Sequence, residues 1–418
     1  HDACLDHADH ALDQAHDERH GIAALAHLYR GVVWVIAGDA RGAQPELETA
    51  ARLSERLGDY YAALSARMSL GAAAVQLGDL DLAVHRFESV KNLADTVATT
   101  SYDFPLAGAA DVGLGLIAFE QLDLDRAATL FRRGIHELRS TSAVDYAVLG
   151  FCRWADTESI RGNHPEAEQI LVEANDFTAH LGGTAPSALV QALAACEART
   201  RWRSGDLERS WALHRRASST PSPGRWELVH PPFELQLLSI RLHLAAGDVD
   251  AARTESEHLS TLAGSDVGPL IETAVVGAEI ALASGDEAGA EESLCDALAS
   301  AGPAGWARPF VDGGPAVADL VASRGALGRE LSTRIVQLAG ADAGRSRSSE
   351  QPLVVPLTPR EREVLAEVAA GFTNAEIAER LYISVGTTKR HIANIFMKLD
   401  ATHRTGAVAR ARQLGILD

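Results

Sequence analysis

The stretch LGDLDLA, Leu77 to Ala83, interrupts a long run of alanine and other small apolar residues. An apolar residue, a glycine, an acid and then a small residue four positions on describe a corner between two helices. Glycine takes the left-handed conformation that ends a helix, and the following Asp accepts hydrogen bonds from the free amides that open the next one. Six further stretches share the pattern: AGDARGA, QLDLDRA, RGNHPEA, SGDLERS, AGDVDAA and SGDEAGA. Their second positions, with that of the first, are Gly38, Gly78, Leu122, Gly162, Gly205, Gly247 and Gly285, spaced 40, 44, 40, 43, 42 and 38 residues apart. A near-constant period of this length is the mark of a repeat protein.

The acids farther along, Asp81, Asp125, Glu166, Glu208 and Asp250, fall in first helical turns, where the helix dipole favours negative charge. Ala83, Ala127, Ala167 and Ala252 permit close approach of the paired helix, and Phe87, Leu130 and Leu171 supply packing one turn later. With Ala, Leu, Arg and Glu recurring throughout, the expected fold class is all-α with little or no strand. The pattern resembles the tetratricopeptide repeat with a longer period, and is similar to the superhelical sensor region of large MalT-like LuxR-family activators. The resemblance implies a superhelical solenoid of about seven tetratricopeptide-like helix pairs with a concave face that binds a partner or inducer.

Two segments break the period. Ser219 to Phe233, STPSPGRWELVHPPF, reads as a long loop between repeat helices, with Trp226 and His230 as the residues that could line a ligand pocket. Gly305 to Val321, GWARPFVDGGPAVADLV, resembles the segment that follows the repeats in the MalT-like group and reads as a capping element.

Enzyme and metal chemistry find little support. His16 and His20 are four apart, but Asp17, Glu18 and Arg19 lie between them in place of the order of a zinc peptidase helix; with His7, His10 and His27 they read as surface decoration. Cys4, Cys152, Cys196 and Cys295 form no CxxC pair and read as buried thiols. The sequence has no phosphate-binding loop and no nucleophile elbow, so no cofactor, no metal and no enzymatic activity are expected. The longest apolar run, Val32 to Ala37, falls short of the ~20 residues of a membrane span. Without an apolar leader the chain is placed in the cytoplasm, off the membrane; because it opens on His1, it reads as part of a longer or processed protein.

Charge divides the chain. The formal charge is -19, from 38 Lys and Arg against 57 Asp and Glu. Residues 357–418 hold nine of the former and seven of the latter, a balance of +2, which leaves 29 against 50, or -21, for residues 1–356. Contact with a phosphate backbone must then belong to the tail. The expected domains are a repeat domain over 1–339, a tether rich in small residues, Ser, Arg and Pro over 340–356, and a nucleic-acid-binding domain over 357–418.

In the tail, Thr358 predicts a helix cap, with Pro359 at the first helical position and Glu361 completing a capping box. Val364, Leu365 and Val368 recur at helical spacing. A second helix begins at Thr373 or Asn374 and uses Ile377, Ala378 and Leu381; Tyr382 and Ile383 turn, and Ser384 caps a third helix. At 100° per residue, Thr388, Ile392, Ile395 and Leu399 share one narrow sector, and no acid occurs between Val385 and Leu399. Lys389 and Arg390 stand at the leading end of that helix, where a recognition helix meets base edges.

Residues 357–399 resemble the LuxR-type helix-turn-helix of LuxR, NarL and MalT proteins, which completes a four-helix domain. The resemblance implies base contacts from Lys389, Arg390 and Ala393 and backbone approach from Thr387 and His391; at 100° per residue Asn394 falls on the flank of the same face. It also implies dimerisation through a fourth helix carrying Thr405, Val408, Ala409 and Arg412. The sequence departs from the family pattern in the short Ala393 and in Thr388, which stands where valine is usual. The reading is a transcriptional regulator, an activator, that binds double-stranded DNA as a dimer, senses a protein or small-molecule inducer on its repeats and works with RNA polymerase. The alternative is an interaction scaffold with a subsidiary DNA anchor.

Overall fold

In the computed structural model of the chain, Gly78 takes φ 80° and joins α4 (Tyr60–Gln76) to α5 (Leu80–Val97). The same left-handed step, φ from 60° to 87°, occurs at all seven positions of the repeated pattern. After each one, the next amide reaches five residues back, as from Asp79 N to Ala74 O at 3.0 Å and from Asp123 N to Ala118 O at 2.8 Å, the bond of a Schellman helix end. Six of the seven following acids or amides cap the next helix: Asp39, Asp79, Asp123, Asp206, Asp248 and Asp286 each accept the amide three residues on. Asn163 does not. Its Nδ2 donates instead to Glu158 Oε2 at 2.9 Å, and its side chain makes no cap bond.

The structure describes residues 2–14, 21–97, 106–139, 141, 143–180, 187–220, 227–228, 230–301, 305–325, 327–347, 359–369 and 372–381, with Thr388, Ile392, Ile395 and Ala411. These divide into two units, His1–Ala343 and Gly344–Asp418. Every regular element among the described residues is an α-helix.

In the first unit α1 (Asp2–Gln14) packs on α2 (Gly21–Ala37). Seven antiparallel pairs then run α2 with α3 (Ala40–Leu57), α4 with α5, and α6 (Leu106–Glu120) with α7 (Leu124–Leu138); next come α8 (Val144–Ile160) with α9 (His164–Ala179) and α10 (Ser187–Arg203) with α11 (Leu207–Ser218). The last two are α12 (Pro231–Ala245) with α13 (Val249–Ala263) and α14 (Val267–Ala283) with α15 (Glu287–Ala301). The first helix of each pair touches the first helix of the next, from α2 to α14, so these form an inner row. A second Gly-Asp corner, Gly58 and Asp59, joins α3 to α4 between repeats: Gly58 is left-handed at φ 74° and Asp59 caps α4 through Ala62 N.

The concave face expected of such an array is closed. α14 touches α4, and α16 (Arg308–Asp312) touches α6. Ser265 Oγ donates to Gly38 O at 3.2 Å across 227 residues, and a Cβ at Gly78 would lie 2.7 Å from the Val267 side chain. The segment read as a cap, α16 with α17 (Gly314–Arg324), does cover α14; it also carries Arg308 and Asp312 to the inner side.

Inner helices have little solvent-facing surface, which explains their lack of an amphipathic stripe. Small residues let them approach closely. On α6, a Cβ at Gly113 would stand 2.7 Å from the ring of Phe87, which lies against Gly71 on its other side. Phe87, Ala83, Ala127, Ala167 and Ala252 are fully buried, as their positions in the repeat predict. The cysteines correct an expectation: Cys152 and Cys196 are buried, but Cys4 and Cys295 are exposed. The Cys196 thiol donates to Cys152 O at 3.3 Å.

α18 (Arg329–Arg347) runs through residues 340–347, the first half of the stretch read as a tether. In the second unit α19 (Pro359–Ala369) packs on α20 (Asn374–Arg380). Among the described residues no helix is long and apolar enough to cross a membrane, and no three His, Cys, Asp or Glu side chains are grouped to hold a metal ion.

Candidate nucleic-acid interface and a charged bore

α19 and α20 place the tail. Val364, Leu365 and Val368 on α19 and Ile377 and Ala378 on α20 are buried, as their spacing predicts. Thr373 and Glu376 form a capping box: Thr373 N donates to Glu376 Oε2 at 2.7 Å, Thr373 Oγ1 donates to the same oxygen at 2.8 Å, and Glu376 N donates back to Thr373 Oγ1 at 3.4 Å. The two Thr373 bonds, backbone first, hold the Glu376 carboxyl below its ordinary value. Arg380 ties the helices together, donating from Nε to Glu367 at 2.7 Å while its guanidinium lies 4.2 Å from the centre of the Phe372 ring. Arg360 Nη2 reaches Leu381 O at 2.5 Å.

Beyond Leu381 the structure describes Thr388, Ile392 and Ile395, all helical and buried. That is the core stripe expected of a third helix. Ala411, helical and fully buried, marks a further one. The expected DNA-contacting residues Thr387, Lys389, Arg390, His391, Ala393 and Asn394, the dimer residues Thr405, Val408, Ala409 and Arg412, and the caps Thr358 and Ser384 lie outside the described residues.

The inner row of the first unit surrounds a cavity of about 120 Å³. Its walls are charged. Asp156 on α8 accepts from Arg199 Nε and Nη2 at 2.8 and 2.7 Å, from Arg203 at 2.7 Å and from Arg153 at 3.0 Å. Burial alone would raise its pKa, but the guanidiniums of Arg199 and Arg203 hold the carboxyl well below the ordinary range. Asp312 on α16 behaves alike, accepting from Arg203 and Arg308 at 2.8 Å each. Glu234 on α12 pairs with Arg153 at 2.6 Å and Arg199 at 3.0 Å. Arg308 also bonds Glu120 on α6 twice at 3.1 Å and Glu272 on α14 at 2.5 Å.

One carboxyl differs from the rest. Glu227, in the turn before α12, accepts from Ser69 Oγ at 2.5 Å and Tyr146 OH at 2.8 Å, and among the described residues no guanidinium bonds it. Burial outweighs those two donors and pushes its pKa up. The Glu227 carbonyl accepts from Gln76 Nε2 at 2.9 Å, and Leu228 packs against the cores on both sides. The long loop of the sequence therefore ends by crossing the bore. His230 lines the same cavity while its Nδ1 accepts the Phe233 amide and caps α12; Trp226 lies outside the described residues.

Residues 2–323 match the sequence model of the MalT-like TPR region, over half of the chain. The chain belongs to this MalT-like family. Residues 355–411 match the model of bacterial regulatory proteins of the luxR family. This MalT-like chain is similar to transcriptional regulatory protein LnrK of Bacillus subtilis, 48% identical over 15% of the chain and 29% of LnrK. It is also similar to the probable transcriptional regulatory protein NarL of Mycobacterium tuberculosis, 38% identical over 19% of the chain and 38% of NarL. LiaR of Bacillus subtilis is 49% identical over 14% of the chain and 27% of LiaR. The chain thus spans less than two fifths of each of these relatives, and each match covers less than a fifth of the chain.

In the MalT-like repeats the bore is the feature that the corner pattern did not reveal. Its signal was present: Glu120, Asp156, Arg199 and Arg203 are charged residues on helices of the inner row. Nothing in their spacing says that they meet. The resulting wall can hold a polar guest by ion pairing.

Proposed function

We propose that the protein is a transcriptional activator in which the repeat domain, 1–339, senses an inducer, and a domain over 357–418, joined through 340–356, binds double-stranded DNA as a dimer. The observation that carries the reading is the buried stripe Thr388, Ile392 and Ile395 within the segment that matches the luxR family. A helix that buries this stripe carries position 390 about half a turn away, at 100° per residue. Lys389, Arg390 and Ala393 are the proposed base-contacting residues, with Thr387, His391 and Asn394 toward the backbone and Thr405, Val408, Ala409 and Arg412 in the dimer contact. The relatives named as transcriptional regulators support this role and argue against an enzyme. The setting is the cytoplasm, with RNA polymerase as the downstream partner.

For the inducer, the narrow inner face favours a small molecule over a folded protein, because the cavity among the inner helices and the turn at Glu227 is only about 120 Å³. The test is binding of the full chain to a selected DNA site. Arg390→Ala is expected to lose about 1–3 kcal/mol of discrimination at one base pair, and affinity is expected to fall steeply with salt. Unchanged base preference in that variant removes Arg390 from readout; a flat salt dependence rejects phosphate docking by the tail.

A further inference from the structure

The walls of the bore carry more negative than positive groups. Among the described residues seven carboxyls line the cavity against five guanidiniums, and one of those five, Arg241, turns its Nε and Nη2 to Glu279 behind the wall, at 3.2 and 3.0 Å, with its Nη1 3.8 Å from Asp312. Among the described residues the Glu227 carboxyl bonds only hydroxyl donors. Burial in a low dielectric makes such an excess costly unless protons or a bound cation offset it.

Two wall acceptors have no partner among the described residues. Glu272 gives Oε1 to Arg308, but its Oε2 is buried and unbonded, in a residue 8% exposed. Gln76 donates from Nε2 to Glu227 O and Val35 O, and its Oε1 is unbonded in a residue 5% exposed. Trp306, 4% exposed, lines the same cavity; its ring packs on Gly268, where a Cβ would lie 2.7 Å away, and its Nε1 donor is unbonded. Buried polar groups are as a rule bonded, so these three point to a guest. Arg153 Nε and Arg203 Nε are likewise without a partner, so the guest also meets donors.

We propose that the bore binds a small organic ammonium ion that also carries one hydroxyl or carbonyl oxygen. Its N–H groups donate to Glu272 Oε2 and Gln76 Oε1, its alkyl chain lies against Trp306, and its oxygen accepts from the indole Nε1. An aromatic wall beside carboxylates is the general recipe for binding organic cations. In size, a cavity of ~150 Å³ admits benzene, so a guest of roughly six heavy atoms fits. The inference rests on the sensor reading for its biological meaning but not for its test.

The experiment is calorimetric titration of the full chain, without DNA, with three compounds of one chain length: aminobutanol, the neutral butanediol and the anionic hydroxybutyrate. Aminobutanol is expected to bind one to one and at least ~10-fold more tightly than either of the others, since charge-assisted hydrogen bonds are about twice as strong as neutral ones. Glu272→Gln is expected to weaken aminobutanol by ~10-fold or more and leave butanediol unchanged. Trp306→Phe, a milder change, is expected to weaken it several-fold. Equal binding of butanediol, tighter binding of hydroxybutyrate, or no binding of aminobutanol to the wild-type chain overturns the proposal, and these wild-type comparisons stand whether or not a variant folds. A second arm measures DNA affinity with and without aminobutanol. Binding without any change in DNA affinity supports the site and rejects the sensor reading; a change supports both.

Discussion

Arg308 on α16 clasps Glu120 on α6 through two hydrogen bonds of 3.1 Å, 188 residues apart in sequence. The backbone follows: Ala307 N donates to Glu120 O at 2.8 Å. This clasp fastens the far end of the repeat array to its third pair and closes the bore. Burial tends to raise the pKa of Glu120, and Arg308 only partly opposes it.

Replacing Arg308 with Met leaves Glu120 and Glu272 buried without a guanidinium bond. Breaking a buried ion pair from one side costs about 3–5 kcal/mol, because the partner charge is stranded. The expected result is a lower urea midpoint, with partial recovery when Glu120→Gln is added. A loss below ~1 kcal/mol would mean that the closure does not depend on the clasp.

Glu227 gives a pH dependence of known sign. Its folded pKa lies above the ordinary value, so the folded state holds the proton more firmly than the unfolded state. The stability this confers is fully present below the unfolded value of about 4.3 and is lost as pH rises through the folded value. Glu227→Gln has no proton to lose. Its melting temperature relative to wild type is therefore expected to increase from about pH 5 to pH 8, and a constant difference contradicts a raised Glu227. Asp156 and Asp312 act in the opposite direction, with stability present above their ordinary values and lost only as pH falls through their depressed folded values.

How far the sequence reveals this protein depends on the range of the interaction. The seven corners were legible because a left-handed residue and a cap are decided within six residues, and the tail stripe because a helix repeats every few. Asn163 misled: a nearby Glu158 takes its side chain, a local competition that residue type does not disclose. The second Gly-Asp corner, at Gly58, lies between repeats and so falls outside the single period that marks the other seven. The bore was illegible because Arg203 and Asp312 are 109 residues apart, and Ser69 and Glu227 158 apart. No local pattern brings such pairs together; only the closure of the array does.

Leu122 occupies a corner where the other six positions are glycine, and its φ is 60°. A left-handed conformation costs a side-chain-bearing residue ~1–2 kcal/mol. The side chain compensates by complete burial in the main core. Removing a buried leucine costs about 2–5 kcal/mol, so Leu122→Gly, although it relieves the backbone, is expected to destabilise by about 1–3 kcal/mol net. Denaturant unfolding measures it, and a more stable variant shows that strain outweighs burial.

Phe87 lies between two helix backbones, against Gly71 of α4 and Gly113 of α6. A methyl at Gly113 would sit 2.7 Å from the ring, which has no free end to swing away because its other side meets Gly71. Alanine favours the helix by up to ~1 kcal/mol over glycine, while overpacking costs about 1–3 kcal/mol, so Gly113→Ala is expected to lose up to ~2 kcal/mol. The cause can be isolated with Phe87→Leu, whose smaller side chain costs stability alone but makes room for the methyl. In the double variant the alanine should become neutral or stabilising, giving a coupling of about 0.5–3 kcal/mol in unfolding free energy. Additive losses would show that the ring does not set the spacing of α4 and α6.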